Sequence, residues 1–289
     1  MSIKTVSQET ISHKPERYAR FDTGQRIEHA LLILSFTLLS ITGLPQKYPD
    51  TGWGEGMIWL MGGIELTRFI HHTAAIVLIL GSIYHLVSMG YRLVVNRVQM
   101  SMLPGWKDVV DAVQSLGYNF GLVKEPPKMG RYTYGEKVEY WAVVWGTVIM
   151  ILTGFVLWNP IATTRLLPGE FIPAAKAAHG GEALLAVLSI VTWHFYHVHV
   201  KSFNKSMFSG SLSRHEMEEE HPLELAARAQ GVERTVEPTV LRRRQRLYLP
   251  VAFLFSLILL VSVYFFVTFE ATAITTMPRQ TVEIFAPTQ

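Results

Sequence analysis

The chain has 289 residues, 49% of them hydrophobic, no cysteine, and 26 lysines and arginines against 23 acidic residues, for a formal net charge of +3. The missing cysteines exclude disulfides, thiolate-held iron-sulfur clusters and thioether-attached haem. The apolar residues gather into long blocks instead of recurring at amphipathic period. That pattern points to an integral membrane protein and leaves a nucleic-acid-binding role without support.

In chain order, residues 1–26 form a polar arm, and no small-residue cleavage pattern follows the first apolar block, so that block is expected to be retained and not cut as a signal peptide. Five membrane spans are expected, at 27–44, 69–94, 138–158, 177–200 and 247–269. The first ends where Thr42, Gly43 and Pro45 predict a break. The loops at 53–65 and 160–176 are rich in Gly, Pro and Trp, with Trp53, Trp59 and Trp158 placed to anchor at the interface. Residues 106–116 alternate Val109, Val110, Ala112, Val113 and Leu116 with Lys107, Asp108 and Asp111, which predicts a short surface helix. Residues 206–246 are charged and read as a linker. The expected fold class is all-α: an integral membrane helical bundle with a four-helix core at 27–205, a linker at 206–246, a fifth transmembrane helix at 247–269 and a tail at 270–289.

Positive charge is concentrated in the arm, in the segment after the second span and in the segment after the fourth, which ends in Arg242, Arg243, Arg244 and Arg246. The loops before spans two and four offer only Lys47 and Arg68, and Arg165 and Lys176. The positive-inside rule then puts the N-terminus and the linker in the cytoplasm and the C-terminal tail outside a bacterial inner membrane.

The chemistry lies in the histidines. His71 and His85 share the second span and His179 and His194 share the fourth, at spacings of 14 and 15 residues. A helix rises about 1.5 Å per residue, so each pair stands about 21 to 22 Å apart along its helix and about 40 to 60 degrees apart around it. Facing helices built this way can clamp two flat iron macrocycles, one above the other, through neutral imidazole nitrogens. A helix-to-helix hydrogen bond explains one intramembrane histidine more readily than four at paired spacing. The small residues Ala74, Ala75, Gly81, Ser82, Gly180 and Gly181 leave room for a planar group beside them.

His72 points away from the His85 face. His29 sits at the start of span one, and His197 and His199 sit where span four leaves the membrane. Negatively charged propionates would find Arg68 and Lys176 on the outer side and Arg20, Arg26, Arg131, Lys137 and Lys201 on the inner side. Of these, Arg68 stands out because it lies on the side that is poor in positive charge.

The motifs R-x-x-H (Arg26, His29), T-G (Thr42, Gly43), R-x-x-H (Arg68, His71), Y-G-E-K (134–137), T-G (Thr153, Gly154) and the helix from His179 to His199 occur in this order over 20–221. There the chain resembles the cytochrome b (gamma) subunits of membrane-bound formate dehydrogenases and the b subunits of nickel-iron hydrogenases. The resemblance implies two b haems with ligands from the first, second and fourth helices: His71 and His179 for the outer haem, His29 and His194 for the inner. His85 departs from that pattern. Pairing His85 with His194, as in the cytochrome b of bc complexes, leaves His29 beside a quinone, and a third haem on His199 is a further alternative.

The implied role is an electron-transfer subunit of a multi-subunit respiratory oxidoreductase. It would pass electrons between an extracytoplasmic iron-sulfur or multihaem cytochrome c subunit and a membrane quinone, with His29, His85 or His197 supplying protons. The competing expectation is a haem-free transporter or proton channel with a histidine relay.

Overall fold

The computed structural model describes residues 16–201, 203–231 and 237–268. The expected tail at 270–289 and the first fifteen residues of the arm lie outside them. In chain order the elements are β1 (Arg17–Ala19), α1 (Thr23–Lys47), α2 (Gly52–Leu60), α3 (Ile64–Val94), α4 (Trp106–Asn119), α5 (Tyr134–Trp158), α6 (Pro160–Thr164), α7 (Phe171–Ser189), α8 (Ser206–Ser209), β2 (Ser211–Ser213), α9 (Arg214–Glu220), α10 (Pro222–Ala229) and α11 (Pro238–Thr268). Helix α7 runs on as two π-helical turns, Ile190–His194 and Tyr196–Lys201. Helices α1, α3, α5, the continuous Phe171–Lys201 and α11 are long and apolar enough to cross a membrane, one for each expected span.

Helix α1 packs along α3 and α5 along α7, while α7 also meets α1 and α11 lies on α3. The connectivity puts β1, the starts of α1, α5 and α11, and the ends of α3 and the fourth span at one end of the bundle, here called proximal. The opposite end is distal. Along the most apolar 18 residues of the fourth span none is buried by protein.

Four expectations about boundaries need correction. Helix α1 continues through Pro45 to Lys47. The side chain of Gln46 donates to the Thr42 carbonyl and the Tyr48 N–H closes on Leu44, so a proline this near the end does little damage. The distal loops contain helices: Thr51 caps α2 by accepting from the Gly54 N–H, and Pro160 opens α6 at the first helical position, where its missing N–H costs nothing. The fifth helix begins at Pro238, nine residues before the expected start.

The fourth correction concerns the segment expected to be a linker. Its first part folds into a proximal cap in which β2 pairs antiparallel with β1 and α9 and α10 follow. Leu212, Met217 and His221 are fully buried there. The charges that suggested a solvated linker are paired: Arg20, 1% exposed at its side chain, joins Glu136 at the start of α5 to Glu224 of α10. Arg131 and Arg228 complete the cluster on Glu224.

Helix α4 forms where expected. Its polar side faces the protein through the Lys137–Asp108 ion pair at 2.8 Å, and Trp106, Val113 and Leu116 are exposed. That orientation suits a helix lying in a membrane surface.

Candidate functional site

At the distal end, α3 and α7 bring His71 and His179 together with ring centroids 6.4 Å apart and planes inclined by 65°. Each ring is fixed by the same device. Thr42 Oγ1 lies 2.9 Å from His71 Nδ1, and Thr153 Oγ1 lies 2.9 Å from His179 Nδ1. Both threonines also donate to the carbonyl one turn back, Leu38 and Ile149, at 2.6 Å. A hydroxyl carries one hydrogen, so toward the histidine each threonine must accept. Nδ1 therefore carries the proton, and Nε2 keeps its lone pair for a ligand.

The glycine after Thr42 makes room for the ring, whereas a Cβ at the matching position after Thr153 would make only an ordinary contact. A Cβ on Gly43 would come within 3.0 Å of His71 Cε1, and one on Gly154 within 3.5 Å of His179 Cε1. The T-G pairs on α1 and α5 are thus a twofold construction, each aiming a histidine of the neighbouring helix.

At the proximal end a second pair forms. His29 of α1 and His194 of the π-helical turn have ring centroids 6.4 Å apart, inclined by 49°. Glu139 Oε2 accepts from His194 Nδ1 at 2.8 Å, which again leaves Nε2 with the lone pair. A π turn advances less rotation per residue than an α turn, so it changes the face on which His194 emerges. Thirteen residues of α1 separate His29 from Thr42, which puts the two pairs about 20 Å apart in depth.

His85 is not brought to His194. Its Nδ1 donates to Glu28 Oε2 at 2.7 Å, and its Nε2 accepts from the Tyr140 hydroxyl at 3.0 Å. Glu28 precedes His29 and Tyr140 follows Glu139, so this network lies beside the proximal pair. Glu28 Oε1 is buried without a hydrogen-bond partner.

The remaining sequence candidates are dispersed. His72 stacks on Trp158, with centroids 3.8 Å apart. His197 Nδ1 donates to the Trp193 carbonyl, and His199 packs against Phe195 and Phe203. Arg68 is exposed and 3.8 Å from Glu65. Arg20, Arg131 and Lys137 are taken up in ion pairs with carboxylates. Among the described residues no three metal-ligating side chains converge, so paired imidazoles are what the chain offers a metal.

A family model described as prokaryotic cytochrome b561 matches residues 20–210, about two thirds of the chain. The chain belongs to the prokaryotic cytochrome b561 family. The cytochrome b556(fdo) subunit of an Escherichia coli K12 formate dehydrogenase is 22% identical over 206 residues, covering 70% of this chain and 89% of that protein. The cytochrome b556(Fdn) subunit of the nitrate-inducible E. coli K12 formate dehydrogenase is 19% identical over 194 residues, 67% and 83% of the two chains. The cytochrome b556 subunit from Haemophilus influenzae is 21% identical over 209 residues, 71% and 81%.

Membership in the cytochrome b561 family makes this a membrane electron-transfer protein and implies haem b as its cofactor. The residues fit that group. A metal to imidazole-nitrogen bond is about 2 Å long and the nitrogen lies about 1 Å from its ring centre, so two axial imidazoles on one iron have centroids about 6 Å apart. Both observed pairs have that separation, and three of the four rings have the acceptor that fixes the ligating tautomer.

Sequence reasoning missed the orienting roles of Thr42, Thr153 and Glu139. The T-G pairs were visible as motifs, but their partners emerge only in three dimensions. It also passed over Glu182, an intramembrane carboxylate that lies against Gly146 of α5. Replacing Thr153 by valine keeps the shape and removes the acceptor for His179. Haem affinity at the distal pair is expected to fall by about 10- to 100-fold, measured by competition with an apo-protein haem acceptor. Unchanged affinity would show that the hydroxyl does not orient the ring.

Proposed function

We propose that this chain carries two b haems, one held by His71 and His179 and the other by His29 and His194, and links an extracytoplasmic redox partner to a membrane quinone. The observation that carries this reading is the pair of equal 6.4 Å imidazole separations, at two depths about 20 Å apart. When bound, the haems supply one-electron carriers on both sides of the bilayer. We assign the proximal ligand to His29 because the Tyr140 hydroxyl already occupies the His85 lone pair. The positive charge around the proximal end supports a cytoplasmic N-terminus. Relatives named as subunits of formate dehydrogenases support membership of a multi-subunit complex, with the partner, an iron-sulfur or multihaem cytochrome c protein, docked at the distal end.

His85 then has a different task. It is held between Glu28 and Tyr140 beside the proximal pair, where a quinone taking up electrons must also take up protons. Imidazole titrates near neutrality and suits proton delivery there.

A reduced-minus-oxidised spectrum of the purified chain tests the reading. Bands of b-type haem at two per chain are expected, and their absence would favour a haem-free proton channel instead. His85→Phe is expected to keep both haems and to slow haem reoxidation by quinone about 100-fold. Loss of a haem from that variant would return His85 to the ligand set.

A further inference from the structure

Lys47 ends α1 at the distal face, one turn beyond the Thr42 and Gly43 that aim His71. It reaches across to α7: a Cβ built on Gly180 would lie 2.8 Å from its Nζ and 3.3 Å from its Cδ. Gly180 follows His179 directly and carries no side chain to meet the ammonium, which therefore lies against α7 one residue from the distal imidazole. Among the described residues no carboxylate lies within ion-pair distance of Lys47. Its charge meets, among the described residues, the Tyr48 ring, 5.4 Å from the nitrogen. Arg68, the other distal cation near His71, already has Glu65. A cation seated next to a haem site, on the face that is poor in positive charge and without an acid of its own, is placed to receive an anion of the cofactor.

We propose that Lys47 is the counter-ion of a haem propionate carboxylate at the distal site. This rests on the two-haem reading above and names a residue for its outer site. The charge–charge pairing holds the macrocycle from its edge while His71 and His179 hold the iron, and Gly180 keeps the path between helices open for the lysine. A nearby positive charge also favours the reduced iron, which carries one positive charge fewer. Lys47 therefore raises the distal potential.

The test is an optical redox titration of the purified full-length protein in the His29→Ala background, where the distal haem alone remains. Lys47→Gln is expected to shift the reduced-to-oxidised ratio at fixed potential about ten-fold toward the oxidised form, about 59 mV for one electron. Lys47→Arg should restore it. Gly180→Ala, which displaces the ammonium without removing it, should move the potential the same way by less. Loss of the distal haem from Lys47→Gln would support the same assignment. An unshifted or raised potential in both Lys47→Gln and Lys47→Glu overturns it, and is what a lysine serving only lipid phosphate would give. A parent His29→Ala protein with no haem at all would instead refute the two-haem reading.

Discussion

Replacing His71 by alanine is expected to take the protein from two haems to one, and His179→Ala should remove the same haem. The double variant should lose no more than either single change if the two rings, 6.4 Å apart, share one iron. His29→Ala and His194→Ala should empty the other site in the same way, and one change from each pair should leave the chain free of haem. Haem per polypeptide, measured by the pyridine haemochrome method, checks all four. The pairing fails if His71→Ala and His194→Ala remove the same haem, or if both haems survive His29→Ala.

The five spans were legible because hydropathy depends on composition over about 20 residues, and small shifts at the ends do not alter it. The distal pair was legible for a similar reason: His71 and His179 lie on regular α-helix, where residue spacing translates directly into depth and face. The proximal pair was harder. His194 sits on a π-helical turn, whose rotation a 3.6-residue count does not describe, and the choice between His29 and His85 depends on what saturates His85. Glu28 and Tyr140 do so, from two other helices. No spacing rule within one span contains that information.

The cap was obscured differently. A charge-rich stretch of low hydropathy reads as a solvated linker until its arginines and carboxylates are seen to pair with residues about 90 to 200 positions away.

The cap carries the second large effect. Arg20→Met keeps much of the side-chain volume and removes the charge that joins Glu136 and Glu224. Breaking a buried pair from one side is expected to destabilise the cap by about 3 to 5 kcal/mol. Proteolytic cleavage within 206–229 in native membranes should rise accordingly. Cleavage at the wild-type rate would show that Arg131 and Arg228 suffice.

The same cluster sets the pH response. His221 is buried, and burial, followed by the charge of Arg20, lowers its pKa from the usual 6.5. Its folded form resists protonation, so its contribution to stability is present above about pH 6.5 and is lost as the pH falls toward the folded value. For Glu224, burial favours the neutral acid, but Arg228, Arg131 and Arg20 outweigh it and hold the carboxyl below its usual 4.5. That contribution is present above about 4.5 and is lost as the pH falls through the lower folded value.

Wild-type protein should therefore become more cleavable in two stages, one beginning near pH 6.5 and the other below 4.5. In Arg20→Met both stages should shrink. The first should shrink, because one cause of the lowered His221 value is gone. The second should end at higher pH and be smaller, because Glu224 has lost one of the three cations that hold it below 4.5. Stages of unchanged size on a uniformly higher cleavage rate would mean that the variant merely weakens the cap, without the specific coupling through Arg20.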